Sequence, residues 1–404
     1  FQNISANSFN GNGQSSLNSR RQAIVDAIDN YFGNANTTPS LYSSNDHSKY
    51  LISKLPENNF PKELILAIAA QEDGPNFPNE KVTFDYGHGI MQITPDALKH
   101  EKAGSSYIYN KSDPRGVVSD ISLKKCKVFD PTLPGPNKGV DEYKKCYQNT
   151  GSGYNTSPKP YDNYDHIPTN IKYKQYTNTV QSIYANLKDG LALLRDKNRS
   201  VVSSTSCPVT NPTYEGVVFT CSDLRRVKTV WGYNGFAWNS TAQLYTGQYM
   251  LDVSQKLQNL ATYFPGYTYA NTDQLIQKLA IANNHKEEIR PHGSTLIRAV
   301  DSKGNKTDSE NNQIENSYYD ESSGRILILF PKDSYKYEVV GKEDEIYGFD
   351  LLISNGIARK AIRINNMQIK KGEVHTYTLN REVLKDNLNN VIIKVDKKKD
   401  GLIE

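Results

Sequence analysis

The chain has no run of about 18 consecutive apolar residues, so nothing in its sequence reads as a membrane-spanning helix. It also lacks a Gly-rich phosphate loop, an HExxH pair and a Ser elbow, which leaves nucleotide, zinc-peptidase and serine-hydrolase chemistry without support. Neither sign of charge is in great excess. A formal net charge of +4 draws the protein weakly toward anionic surfaces and is too small for a nucleic-acid footprint. Tryptophan is scarce at 2 residues, and tyrosine at 27 far outnumbers phenylalanine at 12, so most aromatic surface here carries a hydroxyl.

Cysteine is scarce as well. Cys126, Cys146, Cys207 and Cys221 form no CxxC, and no paired histidines complete a zinc pattern, so no metal is expected. An even count at loop-sized spacings suggests two disulfides. Three pairings are possible, of which Cys126–Cys146 with Cys207–Cys221 closes the shortest loops; four reduced thiols are the other reading. Disulfides would place the protein outside the cytoplasm. The opening FQNISANSFNGNGQSS has no initiator Met, basic n-region or apolar h-region, and reads as a mature or trimmed terminus.

At 404 residues the chain exceeds one ordinary core, and two or three domains are expected. The first two-thirds read as helices between polar loops. Ser19 with Gln22 three residues later suggests a capping box, followed by Ile24, Ala27, Ile28 and Tyr31 on one face and by Gly33 as a stop. A second helix starts near Pro61, carries Leu64, Ile65, Ile68 and Ala69, and ends at Gly74-Pro75. A third carries Val180, Ile183, Tyr184, Leu187, Leu191 and Leu194 in one stripe, and more helix is expected around 222–231, 245–262 and 272–284. Residues 101–170 are rich in Asn, Ser, Gly, Pro and Tyr and show little periodicity, which predicts a long functional or poorly ordered loop. After about residue 288 the pattern changes to β-rich runs at 295–300, 325–330, 335–340, 349–354, 361–364, 374–379 and 391–395, which suggests an antiparallel sandwich.

Glu72 is the strongest candidate for chemistry. It follows Ile68 by four residues and Ile65 by seven, so it emerges from a buried helix face. It also lies in the last turn, where the helix dipole opposes a second negative charge. Both effects favour the protonated form and are expected to raise its pKa, as a general acid requires. Its neighbour Asp73 points elsewhere on the helix and is expected to be solvated or capping.

The segments PKELILAIAAQEDGPNF and YGHGIMQITPDAL, with the later Tyr233-Asn234-Gly235, resemble the three ordered markers of the lysozyme-like lytic transglycosylases. The resemblance spans residues 61–251 and includes the helix with Ile183, Leu187, Gly190 and Leu194. It implies a mainly α catalytic domain over 1–287, with the Tyr-rich stretch of about 101–170 as an insertion and Glu72 as general acid/base. Gln92 would bind or orient sugar, Tyr233 would hydrogen-bond at Glu72, and Asn234 would shape the cleft. Met91 and His88 complete the candidate substrate-binding set, Met91 reading more readily as core and His88 as part of a Gly-flanked turn into the next strand. Asp73 departs from the family's usual Ser after the acid, which puts fine geometry in doubt. Tyrosines of the insertion offer stacking faces for sugars, although most should pack the loop. Trp231 reads as core and Trp238 as a cleft residue.

The implied reaction is cleavage of the β-1,4 bond between N-acetylmuramic acid and N-acetylglucosamine in peptidoglycan, with no cofactor, in a secreted or cell-envelope protein. A transglycosylase closes the C6 hydroxyl onto C1. A muramidase needs a second carboxylate about 6.5–9.5 Å away to activate water, and Asp85 is the candidate, by likeness to goose-type lysozymes. A chitin or chitosan hydrolase and a catalytically inactive glycan-binding or scaffold protein are the rivals. Glu72 kept together with GIMQ and YNG argues against the inactive form.

Residues 301–304, 337–341, 347–353 and 372–377 resemble a β module of secreted bacterial and archaeal proteins. That implies an Ig-like sandwich over 288–404, read first as a spacer, with His375 a strand residue and not a ligand. The tail from Asp396 to Gly401 has lysines where a calcium loop needs ligands and reads as a charged linker.

Overall fold

The computed structural model describes residues 16–33, 60–77, 89–92, 180–204, 207–208, 210–233, 247–292, 295–321, 324–332, 334–356 and 359–379. It also describes the short strands 117–120, 123–128, 140–147, 164–166, 172–175, 238–239, 244–245 and 393–396. The chain is mixed α+β, with seven helices among the described residues and sheets whose strand pairs are all antiparallel.

Helix α1 spans Leu17–Gly33 and begins earlier than its sequence suggests. The Ser16 hydroxyl accepts from the Ser19 amide at 3.2 Å, so Ser16 is the cap. Gln22 turns away to donate to Asp26, and the expected Ser19–Gln22 capping box does not form. Helix α2, Lys62–Asp73, is buried along nearly its whole length, from Glu63 through Ala70. A helix that is apolar all round belongs inside a core, and this one does. That corrects the expectation for Asp73, which is 5% exposed and therefore not solvated. Gly74 ends the helix at φ +78°, its amide donating to Ala70 O at 3.0 Å.

Helix α3 (Val180–Ser204) packs against α1 and against α4 (Cys221–Tyr233). The Cys207–Cys221 disulfide pins the start of α4 to the chain leaving α3, with Cα atoms 5.2 Å apart. Closing a loop of this size contributes roughly 3 kcal/mol. The side chains of Cys126 and Cys146 lie outside the described residues. Helices α5 (Tyr249–Gln258), α6 (Leu260–Tyr263) and α7 (Asp273–Asn284) complete the helical part.

The stretch expected to be a loop at 101–170 carries strands. Strands β1 (Val117–Asp120) and β5 (Lys172–Gln175) pair, and β2 (Leu123–Val128), β3 (Val140–Tyr147) and β4 (Tyr164–His166) form a sheet in the order β3-β2-β4. Its sequence hides them because lysines and tyrosines blur the apolar alternation that marks a half-buried strand. Four two-residue strands follow: β6 (Thr213–Tyr214) pairs β7 (Val217–Val218), and β8 (Trp238–Asn239) pairs β9 (Leu244–Tyr245).

Helix α7 runs directly into β10, His285–His292, with no linker. Strand β10 is the middle of a five-stranded sheet with β13 (Ser317–Asp320), β14 (Arg325–Leu329), β16 (Glu345–Asn355) and β17 (Arg359–Ile369), in the order β13-β14-β10-β16-β17. A second sheet has the order β12-β11-β15-β18-β19, from β11 (Leu296–Val300), β12 (Lys306–Thr307), β15 (Lys336–Val340), β18 (Val374–Leu379) and β19 (Ile393–Asp396). An apolar cluster unites the two sheets, with Ile289, Ile326, Ile328, Phe349 and Leu351 from one and Ile297, Val339 and Tyr377 from the other.

The opposite face of the first sheet carries the helices. Along β14 the side chains alternate: Ile326 and Ile328 join the inter-sheet cluster, while Leu327 and Leu329 join the helical core with Tyr318 and Phe330. Tyr214 stacks on Phe330 at 3.8 Å, Trp231 meets Tyr318 edge-on, and Arg325 lies 4.4 Å over the Trp231 ring. Asp320 bridges Lys197 of α3 at 2.6 Å and Arg325 at 3.1 Å. Helices and sheet therefore share one core, and no helix among the described residues is long and apolar enough to cross a membrane.

Lys228 is enclosed at this junction, 1% exposed, its Nζ donating to Ser317 O at 2.8 Å. Burial, then the nearby Arg225 charge, brings its ammonium down to about 7. An unfolded lysine keeps its proton up to about pH 10.4. The unfolded chain therefore binds more protons between about 7 and 10, and stability falls as pH drops through that window and levels off below it. Lys228→Met should accordingly raise the melting temperature most at pH 7 and below, and converge on the wild type near about pH 10. A difference that does not change with pH would refute this account.

Candidate active site

Glu72 stands in the last turn of α2, half-buried, where the helix meets its glycine cap. The loop beyond is fastened: Arg20 of α1 donates to Asn76 O at 2.9 Å, and Phe77 is buried against Phe264 with ring centroids 5.0 Å apart. Contacts from α1 and from Phe264 thus fasten the chain just beyond the carboxylate. The Tyr249 hydroxyl, from the first residue of α5, donates to Glu72 Oε1.

Residues Gly89–Gln92 form a tight turn and not the strand expected of them. The Gln92 amide donates to Gly89 O at 3.1 Å, and Gln92 itself sits at φ +47°. Three groups from distant parts of the chain hold this turn. Asn186 of α3 is fully buried and accepts from the Met91 amide at 2.7 Å. Tyr233, at the end of α4, donates to Met91 O at 2.8 Å. Gly190, one turn after Asn186, lies so close that a Cβ there would be 2.5 Å from Met91 Cβ and Cγ.

These contacts bring together four of the residues singled out in the sequence: Glu72, Met91, Gln92 and Tyr233. Their roles differ. The Met91 side chain is fully buried, in keeping with its reading as core rather than as a substrate contact, and its backbone carbonyl accepts from Tyr233. The Gln92 side-chain amide also folds back, its Nε2 donating to Gly89 O at 2.5 Å. Tyr233 reaches the turn and also lies within the field of Glu72. Burial first and the Glu72 charge second push the Tyr233 phenol well above its ordinary range, and the same two causes act on Tyr249. Both are neutral donors at any pH near 7. Since the folded protein keeps these protons while free tyrosine loses them near about pH 10, they lower stability as pH rises past that value.

Asp85, His88 and Asn234, and the side chain of Trp238, lie outside the described residues. Trp231 is wholly buried, as its sequence context suggests. His375 is a buried strand residue that shares a hydrogen bond with Tyr347 at 2.7 Å. Among the described residues no group of three His, Cys, Asp or Glu is placed to hold a metal ion. A separate polar cleft lined by Glu63, Asp223, Arg226 and Lys278 shares no residue with this site, and its charges are matched through Asp223.

Sequence reasoning missed Tyr249 and Asn186. Tyr249 opens an apolar stripe with Met250, Val253 and Leu257 and so reads as core. Asn186 falls one residue before Leu187 inside the stripe of α3, where a buried amide was the available signal. Comparison with protein-family models, curated proteins and solved structures returned no match to this chain.

Proposed function

We propose that the chain is a peptidoglycan lytic transglycosylase with Glu72 as general acid and then base. The observation that carries this reading is the convergence near one carboxylate of segments far apart in sequence: the end of α2, Tyr249, and Tyr233, which also holds the 89–92 turn. A surface glutamate needs no such enclosure. In the proposed reaction Glu72 protonates the glycosidic oxygen as the bond to N-acetylmuramic acid breaks. The resulting carboxylate draws the proton from the C6 hydroxyl as that oxygen closes on C1, giving a 1,6-anhydro sugar. Tyr249, a neutral donor at Oε1, holds the carboxylate and favours the charged form that the second step requires.

The two five-stranded sheets fit an Ig-like β-sandwich, and the helical part fits a lysozyme-like unit, in an enzyme acting on glycan strands of the cell envelope. The expected result is a product spectrum ending in 1,6-anhydro-muramic acid when purified peptidoglycan is digested and read by mass spectrometry. Reducing-end muramic acid would mean a muramidase, with Asp85 activating water. Binding to the wall without any product would mean a glycan-binding scaffold.

A further inference from the structure

Strand β10 carries two ionisable side chains into the junction between sheet and helices. Lys286 and Glu288, two residues apart and so on the same face, are about 1% and 0% exposed and pair at 2.8 Å. Such a pair is a poor source of stability, because its desolvation offsets the attraction and apolar residues of similar volume do as well. What it does here is grip a backbone carbonyl. Lys286 Nζ donates to Gly247 O. Asn283 of α7, with its amide oriented to satisfy both ends, donates to the same oxygen at 2.9 Å and accepts from Arg359 of β17 at 2.5 Å.

Gly247 is fitted to this grip. Its φ is +55°, and a Cβ there would lie 2.8 Å from Leu352 Cδ1 and 3.1 Å from Glu288 Oε2. Two residues later comes Tyr249, the first residue of α5, whose hydroxyl meets Glu72. One turn further, Asp252 feels the charges of both Lys286 and Arg359.

We infer that Lys286, supported by Glu288 and Asn283, is a positioning residue: the sheet fixes the Gly247 carbonyl, and through it the start of α5 and the Tyr249 hydroxyl against Glu72. The sheet is then part of the scaffold of the active site and not a spacer. Its catalytic consequence rests on the function proposed above; the geometric claim does not.

The test uses the full chain with tyrosine labelled at Cζ, the Tyr249 resonance being identified by its loss in Tyr249→Phe. The groups acting on that phenol are Glu72, Tyr233 and Asp252. In the wild type the resonance should hold its neutral position to about pH 11. Lys286→Met removes the donor, and Gly247→Ala pushes the peptide off the sheet. In both, Tyr249 should ionise closer to about pH 10, and kcat should fall about tenfold with KM little changed. Wild-type titration of Tyr249 in both variants, whatever happens to their melting temperatures, overturns the inference. Should Lys286→Met fail to fold, Gly247→Ala alone decides. A wild type that cleaves no glycan would sink the functional reading and leave the titration to judge this one.

Discussion

Glu72→Gln should lower the rate of glycan cleavage on the order of 10³-fold and leave the melting temperature close to that of the wild type. The two halves of that statement have separate causes. Glutamine matches glutamate in shape, and its amide oxygen can still accept from the Tyr249 hydroxyl, so the contact that joins α2 to α5 survives. What it cannot do is give a proton to a leaving oxygen or take one from an attacking hydroxyl. Initial rates on purified peptidoglycan, with a thermal melt of the same preparations, check both halves. Wild-type rates in the variant would mean that the chemistry belongs to another group. A large fall in melting temperature would mean that Glu72 is held for structure.

The three segments proposed to bear chemistry were legible because each announces itself over a short stretch. The apolar run before Glu72, the glycines around Met91 and the aromatic end of α4 can be read without knowing what they touch. Their meeting could not be read, since Asn186 and Gly190 act on the Met91 turn from about 95 residues away. Most strands from Leu296 onward follow alternation and turn residues closely, whereas β10, β12 and β13 were missed altogether. The β10 sequence HKEEIRPH looks like a solvated helix end. The charges are instead absorbed inside: Tyr337 donates to Glu287 from the second sheet, and Glu288 pairs with Lys286. Periodicity reports which side chains prefer water, and it fails where buried ions are matched by partners from other elements. Asp73 failed for a related reason, because α2 is buried from Glu63 through Ala70 and Asp73 with it, while near its end only Gln71 and Glu72 stay partly exposed.

Gly190→Ala gives the second test, and there the sign alone is decisive. In an ordinary helix interior the change is favourable, since alanine is better than glycine by about 1 kcal/mol. Within α3 the new Cβ would stand 2.5 Å from Met91 Cβ and Cγ, well inside contact distance, and the Met91 side chain is fully buried with little room to retreat. Overpacking of this kind costs roughly 1–3 kcal/mol, enough to cancel the gain in propensity and reverse it. The strain falls on the turn whose carbonyl receives the Tyr233 hydroxyl, so that turn should shift away from α3. A misplacement of about 1 Å at a reacting centre costs on the order of 10²-fold in rate. Gly190→Ala is therefore expected to melt below the wild type and to lose far more activity than its stability change explains. Were the variant to melt higher, helix propensity would be acting unopposed. The 89–92 turn would then not be packed on α3, and its approach to Glu72 would lose the support that this arrangement supplies.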